Sequence, residues 1–206
     1  WPGSRESMLD ELSSLVKYIR GNLPKFQVIA VKGHPYHDGG GASYQEMGYI
    51  LAATVEYLKA LEERGVSAAE AIPHFRFCLS IGPNYFIEIA KFRAMRILLN
   101  RVLDAFDVPE AGRHLHLHAR TGLWNKTLFD PYVNMLRTTT EAFSAVIGGC
   151  DSLHVGAFDE IIREPDDFSR RIARNTHHIL AEECDLTQVL DPAGGSWAVE
   201  SLTDKM

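Results

Sequence analysis

Short apolar segments alternate along this chain with longer segments that have helical periodicity. The short segments, which predict buried or half-buried strands, are residues 26–32 (FQVIAVK), 74–81 (HFRFCLSI), 114–120 (HLHLHAR) and 152–157 (SLHVGA). Apolar residues recur at helical spacing in residues 7–20, 44–63, 86–106, about 130–146 and 166–184. A fifth strand, interrupted by a Gly-Gly turn, is expected within residues 189–199. This alternation predicts an α/β fold with a parallel sheet.

Three of the predicted strands carry polar side chains on only one face. Because successive strand side chains point to opposite sides, each strand has one set of polar positions. The sets are His114, His116, His118 and Arg120; His74, Arg76, Cys78 and Ser80; and Ser152 and His154. Open parallel sheets are usually apolar on both faces, whereas a closed barrel can have a polar lumen. We therefore predict the C-terminal part of a (β/α)8 TIM barrel with a polar-lined lumen, since a complete barrel usually needs about 250 residues.

Two further patterns give local expectations. Residues 33–42 (GHPYHDGGGA) are expected to form a loop, either a tight strand-to-helix turn or a site where a ligand approaches the backbone. Asp130 and Pro131 are expected to begin a helix as its N-cap and first residue. In the helix of residues 86–106, the charged side chains are expected to lie on a solvated or interface face. These side chains are Glu88, Lys91 and Arg93.

Composition favours a cytoplasmic or organelle-matrix protein. The net charge of -6 and the pI of about 5.8 argue against nucleic acid as the main partner. No apolar run approaches the roughly 20 residues that span a bilayer, and the first residues lack the apolar core of a signal peptide, so no membrane partner is expected. The three cysteines, Cys78, Cys150 and Cys184, form no CxxC motif, which suits a reducing compartment.

Isolated motifs indicate no common catalytic class. Alternate histidines suggest a metal site, but three histidines along one strand span too far to bind one ion, so no metal ligands are expected. A hydrolase is disfavoured because there is no G-x-S-x-G motif. The DGGGA segment lacks both the P-loop Lys-Ser/Thr and the Rossmann spacing. An unrelated barrel hydrolase or metal enzyme remains the third hypothesis after the two given below.

Several spaced blocks together resemble one family. In chain order they are GGGASYQEMGYILAATVEYL, SIGPNYFIEIAKFRAMRILL, HARTGLWNKTLFDPYVNMLRTTTEAFSAVIGG, DSLHVGAFDE, FSRRIARNTHHILAEE and DPAGGSWAVESLTD. They look like the methylmalonyl-CoA mutase family and cover nearly all of the chain from about residue 26 onward. The resemblance implies a coenzyme B12-dependent isomerase that rearranges the carbon skeleton of an acyl-CoA, such as methylmalonyl-CoA to succinyl-CoA, by a radical reaction.

The resemblance also implies where the ligands bind. In the family, the lumen of the barrel admits the acyl-CoA, and a separate C-terminal domain binds cobalamin. The cobalamin motif D-x-H-x-x-G is absent from this sequence. We therefore expect residues 1–206 to be a partial barrel without a cobalamin-binding domain. Adenosylcobalamin would be bound mainly by regions or a subunit outside this chain.

The resemblance implies the candidate site residues, and here the sequence departs from the family. The family's HCQTSGW-like segment reads HARTGLW, so His118 is kept while Arg120 replaces a glutamine. Catalytic members carry a Tyr-His pair before the glycine-bearing turn; an ungapped alignment puts His34 and Pro35 there, and a gapped one offers Tyr36 and His37. The catalytic candidates are therefore His118, Tyr36 and His37. The substrate-binding candidates on the lumen face are Arg120, His116, Ser80 and His154.

Two hypotheses follow from these matches and departures. In one, the chain is a segment of a catalytic acyl-CoA mutase barrel, with His118 and Tyr36 or His37 at the substrate. In the other, it belongs to the small, non-catalytic subunit type, which pairs with a catalytic subunit in a heterodimer. Proline cannot replace a hydrogen-bonding side chain, and arginine adds a charge where glutamine is neutral. Pro35 and Arg120 therefore favour the second hypothesis.

Overall fold

A four-stranded parallel sheet organises the fold in the computed structural model, which describes residues 3–206. The strands are β1 (Ile29–Lys32), β2 (Phe75–Ile81), β3 (Leu117–Thr121) and β4 (Ser152–His154). They pair in the order β1-β2-β3-β4, so each strand lies beside the next one in sequence. Sequential parallel strands joined by helical crossovers are the arrangement found in a (β/α) barrel. The prediction of an α/β fold that forms part of such a barrel is confirmed.

Eight α-helices occur in the described residues. They are α1 (Arg5–Asn22), α2 (His34–Asp38), α3 (Ser43–Glu62), α4 (Ala68–Ala71), α5 (Tyr85–Ala105), α6 (Val133–Ile147), α7 (Asp167–His178) and α8 (Trp197–Lys205). A π-helical segment, Ile179–Glu183, continues α7. Among the described residues, no helix is both long enough and apolar enough to cross a membrane. The predicted helices at residues 7–20, 44–63, 86–106 and 166–184 are confirmed.

The main hydrophobic core lies between the sheet and the helices that cover its outer face. Every second side chain of β2 enters this core, beginning with Phe75 and Phe77, and β3 contributes Leu117 in the same way. Phe92 of α5 and Met47 of α3 are fully buried against them. Removing this apolar surface from water stabilises the layer of helices on the sheet. The alternate side chains consequently project from the opposite, polar face.

The strands are shorter than predicted at their amino ends. His74 does not belong to β2 but ends a 3₁₀ turn, Ile72–His74, and its buried ring places Nδ1 2.8 Å from the Phe26 carbonyl oxygen. His114 precedes β3 and is exposed. Alternation alone cannot locate the first paired residue, because pairing depends on the neighbouring strand. His74 and His114 are therefore not part of the polar strand face.

The expected fifth strand is wrong. Residues 189–195 form turns, and the segment from Trp197 onward is helix α8. Asp191 and Gly195 have positive φ angles of 45° and 81°, which no strand tolerates. Val199 and Thr203, four residues apart, are buried at helical spacing in α8, which packs against α5. Leu190, without an opposing surface, is almost fully exposed.

Two local expectations also need correction. Asp130 is not an N-cap: its φ is 52°, and α6 begins three residues later at Val133. The side chain of Asn134 explains this, since its amide is bonded to the backbone N–H and carbonyl of Thr127 and holds that loop closed. Half of the expected loop at residues 33–42 is instead the single-turn helix α2, which has Pro35 in its first turn.

Candidate functional site

The polar face of the sheet is built in layers. Parallel strands in register bring side chains of the same face to the same height. The layer nearest the amino ends contains Ala30 and Arg76. His116, just before β3, lies beside β2, since its carbonyl accepts a hydrogen bond from the Phe77 N–H. The second layer contains Lys32, Cys78, His118 and Ser152. The third layer contains Ser80, Arg120 and His154. The structure thus places the four proposed substrate-binding side chains on one face of the sheet. The catalytic candidate His118 lies on the same face.

A serine hydroxyl joins the two histidines at the centre of this face. Ser152 Oγ lies 2.8 Å from His116 Nε2 and 2.8 Å from His118 Nδ1. Burial, followed by the charge of Arg76, lowers the pKa of His118 to about 4. Burial likewise lowers the pKa of His116. Both imidazoles are therefore neutral near pH 7, and a hydroxyl is a suitable partner because it can donate one hydrogen bond and accept another.

Arg120 is the cation of the third layer. It stands between Ser80 and His154 and forms no hydrogen bond or ion pair within residues 3–206. Burial lowers the pKa of His34 and of His154, and the Arg120 charge lowers both further. The Arg120 charge therefore acts on His154 of β4 and on His34 of α2, although no described carboxylate contacts Arg120.

Helix α2 covers the carboxyl ends of β2 and β3. Gly82 and Gly122 follow these strands at the next position of the polar face, two residues beyond Ser80 and Arg120. A Cβ atom at Gly82 would lie 2.9 Å from His37 Nε2, and one at Gly122 would lie 2.9 Å from His37 Cε1. The His37 ring, only 7% exposed, therefore fills the space that these glycines leave.

The other side chains of α2 have separate partners. Asp38 Oδ1 accepts a hydrogen bond of 2.9 Å from the Leu123 N–H, which fastens α2 to the loop after β3. Tyr36 stacks on Tyr49 of α3, with ring centroids 4.3 Å apart, and is 45% exposed. Tyr36 and His37 are adjacent in sequence, but their rings occupy different surroundings.

A buried ion network supports the end of β2. It corrects the expectation that Glu88 and Lys91 lie on a solvated or interface face of the helix. Lys91 Nζ lies 2.9 Å from Glu46 Oε2 and 2.5 Å from Glu88 Oε2, and it donates a hydrogen bond of 2.6 Å to the Ser80 carbonyl. Glu46 Oε1 accepts one from the Ser80 N–H. Burial by itself would lower the pKa of Lys91, but Glu46 and Glu88 outweigh it and raise that pKa. Of the three residues expected on the solvated face, only Arg93 is near the surface, where it pairs with Asp191.

Sequence reasoning missed Glu46 and Glu160. The signal for both is the glycine that follows each strand: a Cβ at Gly33 would meet Glu46 at 2.7 Å, and one at Gly156 would overlap Glu160 Oε1. Burial raises the pKa of Glu160, and the Arg120 charge opposes that rise. Glu160 Oε1 is buried without a hydrogen-bond partner in the described chain. Glu160 is therefore an acidic group after β4 that lies within range of the Arg120 charge.

One cavity lies at the carboxyl end of the strands. The cavity there measures about 300 Å³ and is lined by residues that include His37, Trp124 and Met206. This is the lower limit for a drug-sized ligand, and a corrinoid ring is larger. The residues at this end do not fit cobalamin, since the His37 ring occupies the space above Gly82 and Gly122. Within residues 3–206, no three His, Cys, Asp or Glu side chains are grouped to hold a metal ion.

Comparison with known proteins gives a consistent result over the whole chain. The sequence model of the family described as Methylmalonyl-CoA mutase matches residues 1–206. The methylmalonyl-CoA mutase small subunit of Porphyromonas gingivalis is 43% identical over 89% of this chain and 30% of its own length. The small subunit of Streptomyces virginiae is 41% identical over 99% of this chain and 33% of its own length.

A large subunit is similar as well. The methylmalonyl-CoA mutase large subunit of Porphyromonas gingivalis is 39% identical over 95% of this chain and 27% of its own length. The chain thus spans about a third of the length of the curated relatives that it matches. One organism therefore has both a small and a large subunit that are similar to this chain.

Proposed function

Because this chain belongs to the methylmalonyl-CoA mutase family, we propose that it forms part of the barrel of a coenzyme B12-dependent acyl-CoA mutase. The reaction would be a radical carbon-skeleton isomerisation such as methylmalonyl-CoA to succinyl-CoA. Residues 1–206 would be one portion of the barrel, and the remaining strands would pair with the outer edges of β1 and β4. Those two edges have no strand partner among residues 3–206.

The role that we propose is that of the small, non-catalytic partner of a catalytic mutase subunit. The position of His37 carries this proposal: its ring is packed against Gly82 and Gly122, and Tyr36 stacks on Tyr49. A Tyr-His pair that served the substrate would need both rings directed at one ligand. The similarity to two small subunits supports the same role.

The cofactor and the substrate would be shared with the rest of the assembly. Adenosylcobalamin supplies a carbon radical when its cobalt-carbon bond breaks, and we propose that a region or subunit outside this chain binds it. The described residues support this division, because the His37 ring occupies the space above Gly82 and Gly122 at the carboxyl ends of β2 and β3. An acyl-CoA and a catalytic mutase subunit are the proposed partners.

The test is co-expression of the full-length protein with the catalytic mutase subunit of its organism. We expect the two to purify as a stable heterodimer that interconverts methylmalonyl-CoA and succinyl-CoA when adenosylcobalamin is added. The full-length protein alone should show no turnover under the same conditions. A protein that stays monomeric beside the catalytic subunit contradicts the proposal.

The alternative, a catalytic barrel segment with His118 and Tyr36 or His37 at the substrate, predicts different results. Loss of a general acid or base usually lowers turnover by about a hundredfold or more. His118→Ala in the heterodimer would therefore abolish most of the activity if His118 acted on the substrate. The matched control is His114→Ala, because His114 is exposed and lies outside β3. A loss of about a hundredfold with His118→Ala, absent with His114→Ala, would establish the alternative.

A further inference from the structure

We propose that a groove between α3 and α5 contacts the catalytic mutase subunit and meets the corresponding groove of that subunit across a pseudo-two-fold axis. This inference rests on the proposed function, because it names the surface through which the proposed heterodimer forms. Two observations carry it: an apolar floor on the outer wall of the fold, and a rim of charges of both signs that have no partner within residues 3–206. We call this surface the α3–α5 groove.

The floor of the α3–α5 groove is apolar. The groove has a volume of about 690 Å³, and it is lined by Leu51 and Val55 of α3 and by Leu98 and Val102 of α5. A spacing of four residues puts each pair on one side of its helix, and all four residues are only partly buried. A contiguous aliphatic surface on the outside of a protein is typical of a protein-protein contact.

The groove lies away from the open edges of the sheet. Those edges belong to β1 and β4, whereas α3 lies between β1 and β2 in the chain and α5 lies between β2 and β3. Helix α1 contacts α3 on one side, and α6 and α8 contact α5 on the other. The two helices therefore occupy the middle of the outer layer. Further barrel strands that pair with β1 and β4 would leave the groove uncovered.

The rim of the groove is charged toward the carboxyl ends of the two helices. The four charged side chains that line it there are Lys59, Glu62, Arg101 and Asp107. None of the four forms an ion pair or a side-chain hydrogen bond within residues 3–206. Other charged side chains of the same helices are paired, as Glu56 is with Arg5 and Asp104 with Arg113. The rim can therefore form ion pairs with a partner without breaking any within the described chain.

The signs of these charges indicate the kind of partner. Two cations and two anions make the rim complementary to a surface of the same composition. A two-fold interface uses the same patch on both partners, so each charge needs an opposite charge within that patch. A mutase large subunit and a small subunit are both similar to this chain, so the catalytic partner would have the corresponding two helices. The α3–α5 groove of one subunit is thus suited to that of the other.

The two helices offer enough surface for a stable contact. Helix α3 has 20 residues and α5 has 21. Each is therefore about 30 Å long, and two packed helices present a face about 20 Å wide. Contact over this face would bury about 600 Å² on each partner, or about 1,200 Å² in total, which reaches the lower end of stable specific interfaces.

The experiment measures the Kd between the full-length protein and the catalytic mutase subunit of its organism by surface plasmon resonance. Arg101→Glu should raise the Kd about tenfold or more, because it places a carboxylate opposite the partner's acidic rim positions. Val55→Asp, which puts a charge into the apolar floor, should act in the same direction. The matched control is Arg174→Glu, since Arg174 is an exposed arginine of α7 that also has no ion pair within residues 3–206. Its Kd should stay within about twofold of the unmodified protein.

The outcomes separate this inference from the proposed function. If the heterodimer forms but Arg101→Glu and Val55→Asp bind as tightly as the unmodified protein, the groove is not the interface, while the heterodimer itself stands. If no heterodimer forms, both proposals are overturned. An equal loss in Arg174→Glu would indicate only general electrostatic attraction. A homodimer of the full-length protein that Arg101→Glu converts to a monomer would show that the groove binds a second copy instead, which also overturns the inference. Thermal melts of each variant alone show that it is folded, and Arg101→Glu decides the matter if Val55→Asp is not.

Discussion

Replacing Lys91 by methionine should strongly destabilise this protein, although the two side chains are similar in length. Lys91 is fully buried and lies 2.9 Å from Glu46 and 2.5 Å from Glu88. Its removal leaves two buried carboxylates without a countercharge. Breaking a buried ion pair in this way costs about 3–5 kcal/mol. Since domains are typically stable by about 5–15 kcal/mol, the variant should lose a large part of its free energy of unfolding.

The assay is urea denaturation of the purified protein at about pH 8 and about pH 5. Unpaired buried carboxylates prefer to be protonated, so their pKa values in the folded variant should rise above those in the unfolded chain. Protonation at the lower pH then relieves part of the cost, and the loss should be smaller at about pH 5. The triple variant Lys91→Met, Glu46→Gln and Glu88→Gln has none of the three charges, and it should recover most of the stability.

The control separates burial from charge. Arg5 pairs with Glu56 at the surface, where both side chains are more than half exposed, so Arg5→Met should change the urea midpoint little. The reasoning is refuted if Lys91→Met costs no more than Arg5→Met. It is also refuted if the loss in Lys91→Met is the same at both pH values, because a cavity alone would explain that result.

Three further predictions concern single residues. Gly122→Ala should destabilise the protein by about 1–3 kcal/mol because the new Cβ would meet His37. The control Gly48→Ala in α3 has free space around the new Cβ and should stabilise the protein by about 0.5–1 kcal/mol. Thermal melts that show equal effects of the two substitutions would contradict this reasoning. The pKa of His118 is about 4 in the fold and about 6.5 when unfolded, so between these pH values the unfolded chain binds one more proton. The free energy of unfolding should therefore fall by about 3 kcal/mol from pH 7 to about pH 4. His118→Gln should flatten this pH profile, and an unchanged slope would count against the pKa shift. Arg93→Ala should release the segment before α8, seen as faster proteolysis near residues 185–196, and an unchanged digest would disprove that role.

The fold class could be predicted because the signals for it are local. Period-two and helical periodicities identified four strands and the long helices, and the polar sets on three strands indicated a barrel rather than an open sheet. The false strand at residues 189–199 shows the limit of this reasoning. A short apolar segment with two glycines resembles a strand, but only its position against α5 decides that Trp197 begins a helix.

The site could be predicted in part for the same reason. Alternation alone put His116, His118 and Arg120 on one face, and the structure has them there. The burial of Lys91 could not be inferred, since a charged residue on a helix is usually solvated. Its ion-pair partner Glu46 is also distant in sequence. The partners of Tyr36 and His37 were equally hidden, because they depend on how α2 folds over the strand ends.

By itself, the sequence determined the periodicity of the elements, the polar face of the strands and the family. These properties depend on side-chain order along a single strand or helix, which the backbone geometry converts directly into faces. Only the tertiary structure decided that Lys91 is buried between two glutamates, that His37 fills the space above Gly82 and Gly122, and that Arg120 has no charged partner among residues 3–206. Each of these facts depends on contacts between residues far apart in the chain, and no local pattern contains that information.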